Sequence, residues 1–303
     1  MNAIVKTENE PRQLQRLAAQ RYLYSTAKHL YGTQLILAGP VAVVWAGAVA
    51  LSPGLKAAAG VWGIVVSALD ATVLTPWQKR LRERAAKVQE TFDCDVLQLE
   101  WNYIKVGEKP DPELVKAEAD KYTKIQNHFP PLEDWYPLAV SEVPLDIARV
   151  ICQRANCWWD AEQRRGYARL LLGCLFVVGL AILGLGLVRG LTLEKLILAV
   201  MLPLSPALLV ATRQFSEQTD AASRLDKLKG HAARMWSELC ADGDRGELAH
   251  KSRTLQDEIY DNRKCNSSVF DWMFQRVRTR YESQMNYTAQ QLVDEAKQRM
   301  RIF

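Results

Sequence analysis

The sequence is poor in the features that usually announce a function. Its 303 residues hold 6 cysteines, far fewer than a disulfide scaffold needs. Its 16 glycines and 12 prolines follow no period, which excludes collagen-like and low-complexity classes. Neither sign of charge dominates: 39 Lys and Arg against 34 Asp and Glu leave a formal net charge of +5. With 49% hydrophobic residues, that balance excludes a disordered chain. No glycine-rich phosphate loop, nucleophile elbow or HExxH pair is present. The four histidines, His29, His128, His231 and His250, are scattered. Cys152 and Cys157 lie five apart on a predicted helix without a second pair at zinc-like spacing, so they read as small packed residues. No catalytic residue, metal site or cofactor is expected, and the chain does not read as an enzyme.

Charge is also missing from particular stretches. Between Lys28 and Lys56 there is no acid or base, and the core of that window runs from Leu35 to Leu51. A second window, Leu55 to Leu74, carries Lys56 at its start and one acid, Asp70, near its end. A third lies between Arg169 and Arg189, and a fourth between Lys195 and Arg213. A membrane helix needs about 20 mostly apolar residues, and all four windows meet that criterion. The third has no polar stripe, which a buried soluble helix would usually carry. The mean hydropathy of -0.15 therefore averages about 80 membrane residues, at about 20 per helix, with a polar remainder.

The windows come in pairs. Ser52-Pro53-Gly54 separates the first two, and a turn around Arg189-Gly190-Leu191-Thr192 separates the last two. The expected fold is an all-α integral membrane protein with two transmembrane hairpins, four spanning helices, and a helical cytoplasmic domain. Arg12, Arg16, Arg21 and Lys28 precede the first hairpin, and Lys79, Arg80, Arg82, Arg84 and Lys87 follow it. Arg154, Arg164, Arg165 and Arg169 precede the second, and Arg213, Arg224, Lys227 and Lys229 follow it. The short turns hold only Lys56, Arg189 and Lys195, so the positive-inside rule puts both termini and the middle segment in the cytoplasm. No cleavable signal peptide is visible.

The expected division is an N-terminal cytoplasmic helix (1–34), hairpin one (35–74), a cytoplasmic helical sensor segment (75–167), hairpin two (168–212) and a C-terminal cytoplasmic helical segment (213–303). The middle segment holds 14 basic and 16 acidic residues and the last 16 basic and 14 acidic. Neither has the concentrated basic face that binds a nucleic-acid polymer. Trp77, Leu81, Ala85, Val88 and Phe92 recur on one helical face, continuing the second window into the cytoplasm. Asp111-Pro112-Glu113 starts another helix that should end before Pro130-Pro131. A further helix begins near Pro144 and runs into the third window. Met273, Val277, Tyr281, Met285 and Leu292 form a C-terminal stripe. Val96-Leu97-Gln98-Leu99 is the single short strand candidate.

Asp70 is either a functional acid within the membrane or an interfacial residue that reaches the headgroups or pairs with Lys79 or Arg80. Pro203 and Pro206 interrupt the fourth window, and Gly179, Gly184 and Gly186 in the third would let helices approach closely. Asp70, Pro203, Pro206 and Gly184 are thus the candidates for a pore. In the polar segments, Trp101-Asn102, Trp135-Tyr136 and Trp158-Trp159 lie among polar residues. Such groups suit a nucleotide: rings stack on bases, amides read edges, arginines pair with phosphate. They equally suit the core of a small helical domain. Gln153, Asn156, Asp160 and Arg164 share one polar helix face.

At these residues the sequence resembles the SMODS-associated four-transmembrane effector family. The resemblance rests on the run Ala85-Ala86-Lys87-Val88-Gln89-Glu90-Thr91-Phe92-Asp93, then Leu97 and Trp101-Asn102. It continues with Asp134-Trp135-Tyr136-Pro137 and Cys152-Gln153-Arg154-Ala155-Asn156, and closes with Leu255-Gln256-Asp257-Glu258-Ile259-Tyr260-Asp261-Asn262-Arg263. It covers nearly the whole chain. It implies a pore-forming effector of bacterial anti-phage (CBASS) systems, encoded beside a synthase of cyclic oligonucleotides. Such a protein senses a cyclic di- or oligonucleotide in its cytoplasmic part and disrupts the inner membrane, aborting infection. The partners implied are the messenger, the lipid bilayer and further copies in a homo-oligomer. The ligand-site candidates are Trp101, Asn102, Trp135, Tyr136, Gln153, Arg154, Asn156 and Arg164. A constitutive channel or transporter, or a membrane-anchored sensor or scaffold without a pore, is the alternative.

Overall fold

Helix dominates the computed structural model, which describes residues 2–125, 132–190, 192–197, 201–239, 245–266 and 269–300. A short α1 (Ile4–Glu8) leads into α2 (Pro11–Ala38). Pro11 opens α2 in its first turn, where a missing N–H leaves no bond unmade. Gly39 interrupts the helix just before Pro40, and α3 (Pro40–Leu51) resumes with that proline. After a tight 3-10 turn at Pro53–Leu55 the chain returns through α4 (Lys56–Leu69). A π turn, Asp70–Leu74, carries α4 straight into α5 (Thr75–Val96). That wider turn sits where Pro76 cannot supply an N–H to the preceding turn, so the rod continues rather than breaking.

Two shorter helices follow, α6 (Tyr103–Val106) and α7 (Pro112–Ile125). A 3-10 turn at Leu138–Glu142 precedes α8 (Leu145–Val188), 44 residues long. Next come α9 (Leu193–Leu196), α10 (Leu202–Leu239), α11 (Arg245–Cys265) and α12 (Asp271–Met300). At about 1.5 Å per residue α8 is about 66 Å long, twice the roughly 30 Å of a bilayer's hydrocarbon. One helix is therefore long enough for both a membrane crossing and a long extension beyond it.

The polar halves of α2, α5, α8 and α10 pack with α1, α7, α11 and α12 around a common core. Leu17, Phe92, Ile147, Ile151, Met235, Leu255 and Val293 are fully or almost fully buried there. The expected α5 stripe is found in Leu81, Ala85, Val88 and Phe92, while Trp77 stays half exposed where the apolar surface begins. An amphipathic ring at that level suits a headgroup layer. The α12 stripe holds Met273 and Tyr281 inside and continues through Ala289, Val293 and Ala296.

The apolar halves are almost bare. Val61, Ile64, Leu172, Phe176, Leu180, Leu183 and Leu187 are all exposed. Three stretches, Pro11–Val49, Lys56–Val96 and Leu145–Val188, are long and apolar enough to cross a membrane. Apolar surface this extensive marks a membrane or a large partner. The fourth expected window includes residues 198–200, which lie outside the described residues. Just after the third window, Gly190 adopts a φ of +56°, a conformation natural to glycine and suited to a turn.

Several expectations are corrected. Among the described residues no strand occurs. Val96 ends α5, and Gln98 takes a left-handed φ of +51°. The Leu99 N–H then reaches back to Cys94 O at 2.8 Å, closing the helix end. Arg149 secures that turn by donating to Leu97 O and Gln98 O at 2.8 and 2.9 Å. Asp70 does not pair with Lys79 or Arg80; it accepts from the Gln34 amide at 2.6 Å, which ties α2 to the π turn. Within the single chain Gly179 and Gly184 face open space, since a Cβ on either would meet nothing within 4 Å. Pro203 and Pro206 lie in the first described turns of α10, which follow residues outside the described set.

Candidate functional site

The site is built where four helices of the polar half diverge. A cavity of about 470 Å³ lies among α2, α8, α11 and α12, closed on one side by the 132–138 segment. That volume is in the range of small-molecule sites. α2 supplies Arg21, Tyr24 and Lys28, at spacings of three and four, while Leu17, Leu23 and Ala27 turn into the core. α12 supplies Phe274, Arg278, Glu282 and Met285, again one face. α8 supplies Asn156, Trp159, Asp160, Gln163 and Arg164, and α11 supplies Arg263, with Asn266 just past its end.

Cations and rings alternate on these walls. The Arg21 guanidinium lies over the Phe274 ring, 4.2 Å from its centroid. Trp159 stands edge-on to Tyr281 with centroids 5.8 Å apart and tilted against Phe274 at 6.1 Å. Arg164 donates to Gln218 of α10 at 2.9 Å and pairs with Asp160 one turn away. Arg278 pairs with Glu282 on its own helix. Lys28 reaches Asp271 at 2.6 Å. Five basic groups thus reach the lining, together with the acids Glu133, Asp134, Asp160 and Glu282.

Behind the wall lies a buried polar network. Asp93, fully buried, accepts from the Tyr136 hydroxyl and the Gln256 amide, each at 2.8 Å, and pairs with Arg263. Glu90 accepts from Arg253 at 2.6 Å and Gln256 at 2.9 Å. Gln153 donates to Ser252 O at 2.9 Å and to Gln256 at 3.2 Å. Asn156 donates to the Tyr136 oxygen at 3.2 Å. Burial opposes the Arg263 charge, but Asp93 and nearby phenol oxygens outweigh it and hold the guanidinium firmly protonated. Burial likewise pushes the Tyr136 phenol well above its ordinary value, so it stays a donor. Asp93 with Arg263 and Glu90 with Arg253 form two pairs, which offset part of the cost of burying these groups.

The 132–138 segment is fastened from the other side by α1. Asn9 and Asp134 exchange hydrogen bonds at 2.9 and 3.1 Å, with Asp134 at a left-handed φ of +51°. The Tyr136 N–H donates to Glu8 at 3.0 Å. Burial pushes the Glu8 carboxyl up to about 8; the Tyr136 bond works against this and Asp134 adds to it.

Of the eight ligand-site candidates, Trp135, Tyr136, Asn156 and Arg164 meet in this cavity. The other four do not. Trp101 donates to Gly107 O at 2.8 Å and packs with Ala86, Val106 and Tyr260. Asn102 caps α6, accepting from Lys105 N at 3.1 Å, and donates to Asp257 at 2.8 Å. Gln153 is fully buried in the network, one turn too early on α8 to reach the cavity. Arg154 borders a narrow crevice against α12, lined by Trp158, Met285 and Leu292. Trp159, one of the paired tryptophans noted in the sequence, also lines the cavity, together with Arg21, Tyr24, Lys28, Arg263, Phe274 and Arg278, which lie outside the eight candidates. In the sequence Arg21 and Lys28 stand out only as basic flanks of the first apolar window. The signal that would have found them is cationic and aromatic residues at three-to-four spacing beside an apolar stripe.

The chain matches the model of the SMODS-associating 4TM effector domain over residues 2–292. It belongs to that family. A probable CBASS effector molecule of Bacillus cereus (strain VD146) is similar, with 21% identity over 281 residues, 89% of this chain and 92% of the relative. No solved structure matches. The segments that carried the resemblance converge in the fold: Glu90 and Asp93, Tyr136, Gln153 and Asn156, Gln256 and Arg263 belong to the one network described above.

Proposed function

We propose that this chain is a ligand-gated effector of bacterial anti-phage defence. It binds a cyclic oligonucleotide in the cavity on its cytoplasmic side, and the occupied form, as a homo-oligomer, permeabilises the inner membrane. The observation that carries the reading is the cavity itself: Arg21, Lys28, Arg164, Arg263 and Arg278 around the rings of Tyr24, Trp135, Trp159 and Phe274. Guanidinium groups suit phosphate oxygens, and flat rings suit bases. Family membership and the relative's name favour the same role. The basic flanks of the apolar windows favour a cytoplasmic cavity.

The same helices that line the cavity continue into the apolar half. α2 runs on through Ala38, and α8 through Val188. A ligand that binds one arrangement of these helices more tightly than another shifts the population between them, by no more than that difference in affinity. Four helices per chain do not readily enclose an aqueous path, which is why an oligomer belongs to the reading.

Equilibrium binding of cyclic di- and trinucleotides to the full-length protein in detergent tests the sensing step. One of them is expected to bind, with Arg278→Ala weakening it about tenfold or more through loss of a charge-assisted bond. A folded protein that binds none of them contradicts the reading and favours a constitutive channel or a scaffold.

A further inference from the structure

Three donors on one face of α2 converge on a single carboxylate of α12. The Lys28 ammonium donates to Asp271 Oδ1 at 2.6 Å, the Ser25 hydroxyl donates to Oδ2 at 3.0 Å, and the Arg21 guanidinium stands 3.7 Å from Oδ1. Arg21 and Lys28 also line the cavity. An ammonium, a hydroxyl and a guanidinium are the donors that proteins turn towards phosphate. A carboxylate and a phosphodiester each carry one negative charge over two acceptor oxygens.

We propose that Arg21, Ser25 and Lys28 form a phosphodiester subsite of the cavity, which Asp271 occupies as an internal surrogate until the ligand displaces it. This rests on the reading of the cavity as a nucleotide site and specifies where one phosphate sits.

The other cations of the cavity are arranged differently. Arg278 and Arg164 pair with acids on their own helices, and Arg263 is locked to Asp93 inside the core. Asp271 instead reaches across from another helix, at that helix's first residue, and its side chain is a third exposed. Exchanging it for a ligand oxygen breaks no core packing. Burial alone would raise the Asp271 carboxyl, but Lys28, Arg21 and Ser25 outweigh it and keep the carboxyl below its ordinary value, so the surrogate is anionic.

Displacement has a structural consequence. It removes one tie between the start of α12 and α2, at Lys28, seven residues before the apolar window opens at Leu35. That is about 10 Å along the helix. The ligand thereby alters a contact close to the apolar window on a helix that runs into it.

The test uses the full-length protein in detergent, with inorganic phosphate and pyrophosphate as probes and chloride at matched ionic strength as control. Asp271→Asn is expected to bind both anions about tenfold more tightly than the native chain, because the internal competitor is gone. Asp271→Ser keeps a residue suited to a helix start, guards against a folding defect, and is expected to behave alike. Asp271→Glu restores the competitor and should cancel the gain, as should Lys28→Met added to Asp271→Asn. Unchanged anion affinity in folded Asp271→Asn and Asp271→Ser overturns the subsite. A gain in anion affinity in a protein that binds no cyclic nucleotide supports the subsite and counts only against the cyclic-nucleotide reading.

Discussion

The first part of α8, Leu145 to Ala168, and its second part, Arg169 to Val188, share one unbroken backbone but almost nothing else. In the first part Ile147, Ile151, Cys157 and Ala161 are fully or almost fully buried, and Arg149, Gln153 and Arg164 each have specific hydrogen-bond partners. In the second, Leu172, Phe176, Leu180 and Leu183 are more than half exposed, and a Cβ added at Gly173, Gly179 or Gly184 would meet nothing. The difference teaches what each part is specified by. The polar part depends on which side chain stands where, because every buried donor there must find its acceptor. The apolar part depends on being uniformly apolar, because the bilayer accepts any such surface.

The comparison is broken hardest at the network. Asp93→Ala leaves Arg263 buried without its counter-charge and is expected to cost about 3–5 kcal/mol in chemical denaturation of the full-length protein. Ile151→Ala, a plain core truncation in the first part of α8, is expected to cost about 2–5 kcal/mol in the same measurement. Leu180→Ala, a similar truncation in the second part, should stay within about 1 kcal/mol. Equal losses for Ile151→Ala and Leu180→Ala would mean that the apolar part is packed against protein, as in a closed oligomer. Leu180→Arg reverses the sensitivity. It should impair membrane insertion by about 3 kcal/mol, read as a fall in the membrane fraction.

Glu8 tests the polar part by pH. Its folded carboxyl keeps the proton to about 8, whereas an exposed glutamate loses it near its ordinary 4.5. The folded state therefore binds the extra proton between those values, so this group's contribution is full below about 4.5 and is lost as pH rises through 8. Glu8→Gln mimics the protonated form. Its melting temperature should match the native chain near pH 4.5 and exceed it near pH 8, by up to roughly 2–3 kcal/mol of stability. A constant difference across that range would refute the assignment. The smallest effect is expected from Arg154→Ala, which should leave cyclic-nucleotide affinity within about twofold, since its side chain faces the crevice by Trp158 rather than the cavity.

These two parts were also unequally legible in the sequence. Composition alone located the apolar windows, since twenty residues without charge have few other homes. Helix periodicity placed Leu81, Ala85, Val88 and Phe92 on one buried face. Periodicity cannot say which helices meet. Gln153, Asn156, Asp160 and Arg164 form one stripe on paper, yet in the fold Gln153 turns into the α11 interface while the other three reach the cavity. Trp101-Asn102 looked like Trp135-Tyr136 as a dipeptide, but one holds a turn and the other lines the site. Asp271 and Arg21 are 250 residues apart, and no local pattern connects them.

The central claim is that the polar cavity commands the apolar helices. Dye release from liposomes holding the full-length protein, with and without cyclic oligonucleotides, tests it most directly. The account predicts no release without ligand, release with one cyclic oligonucleotide, and loss of that release in Arg278→Ala while insertion is unchanged. Equal release with and without ligand, or silence with every cyclic oligonucleotide bound, would contradict it.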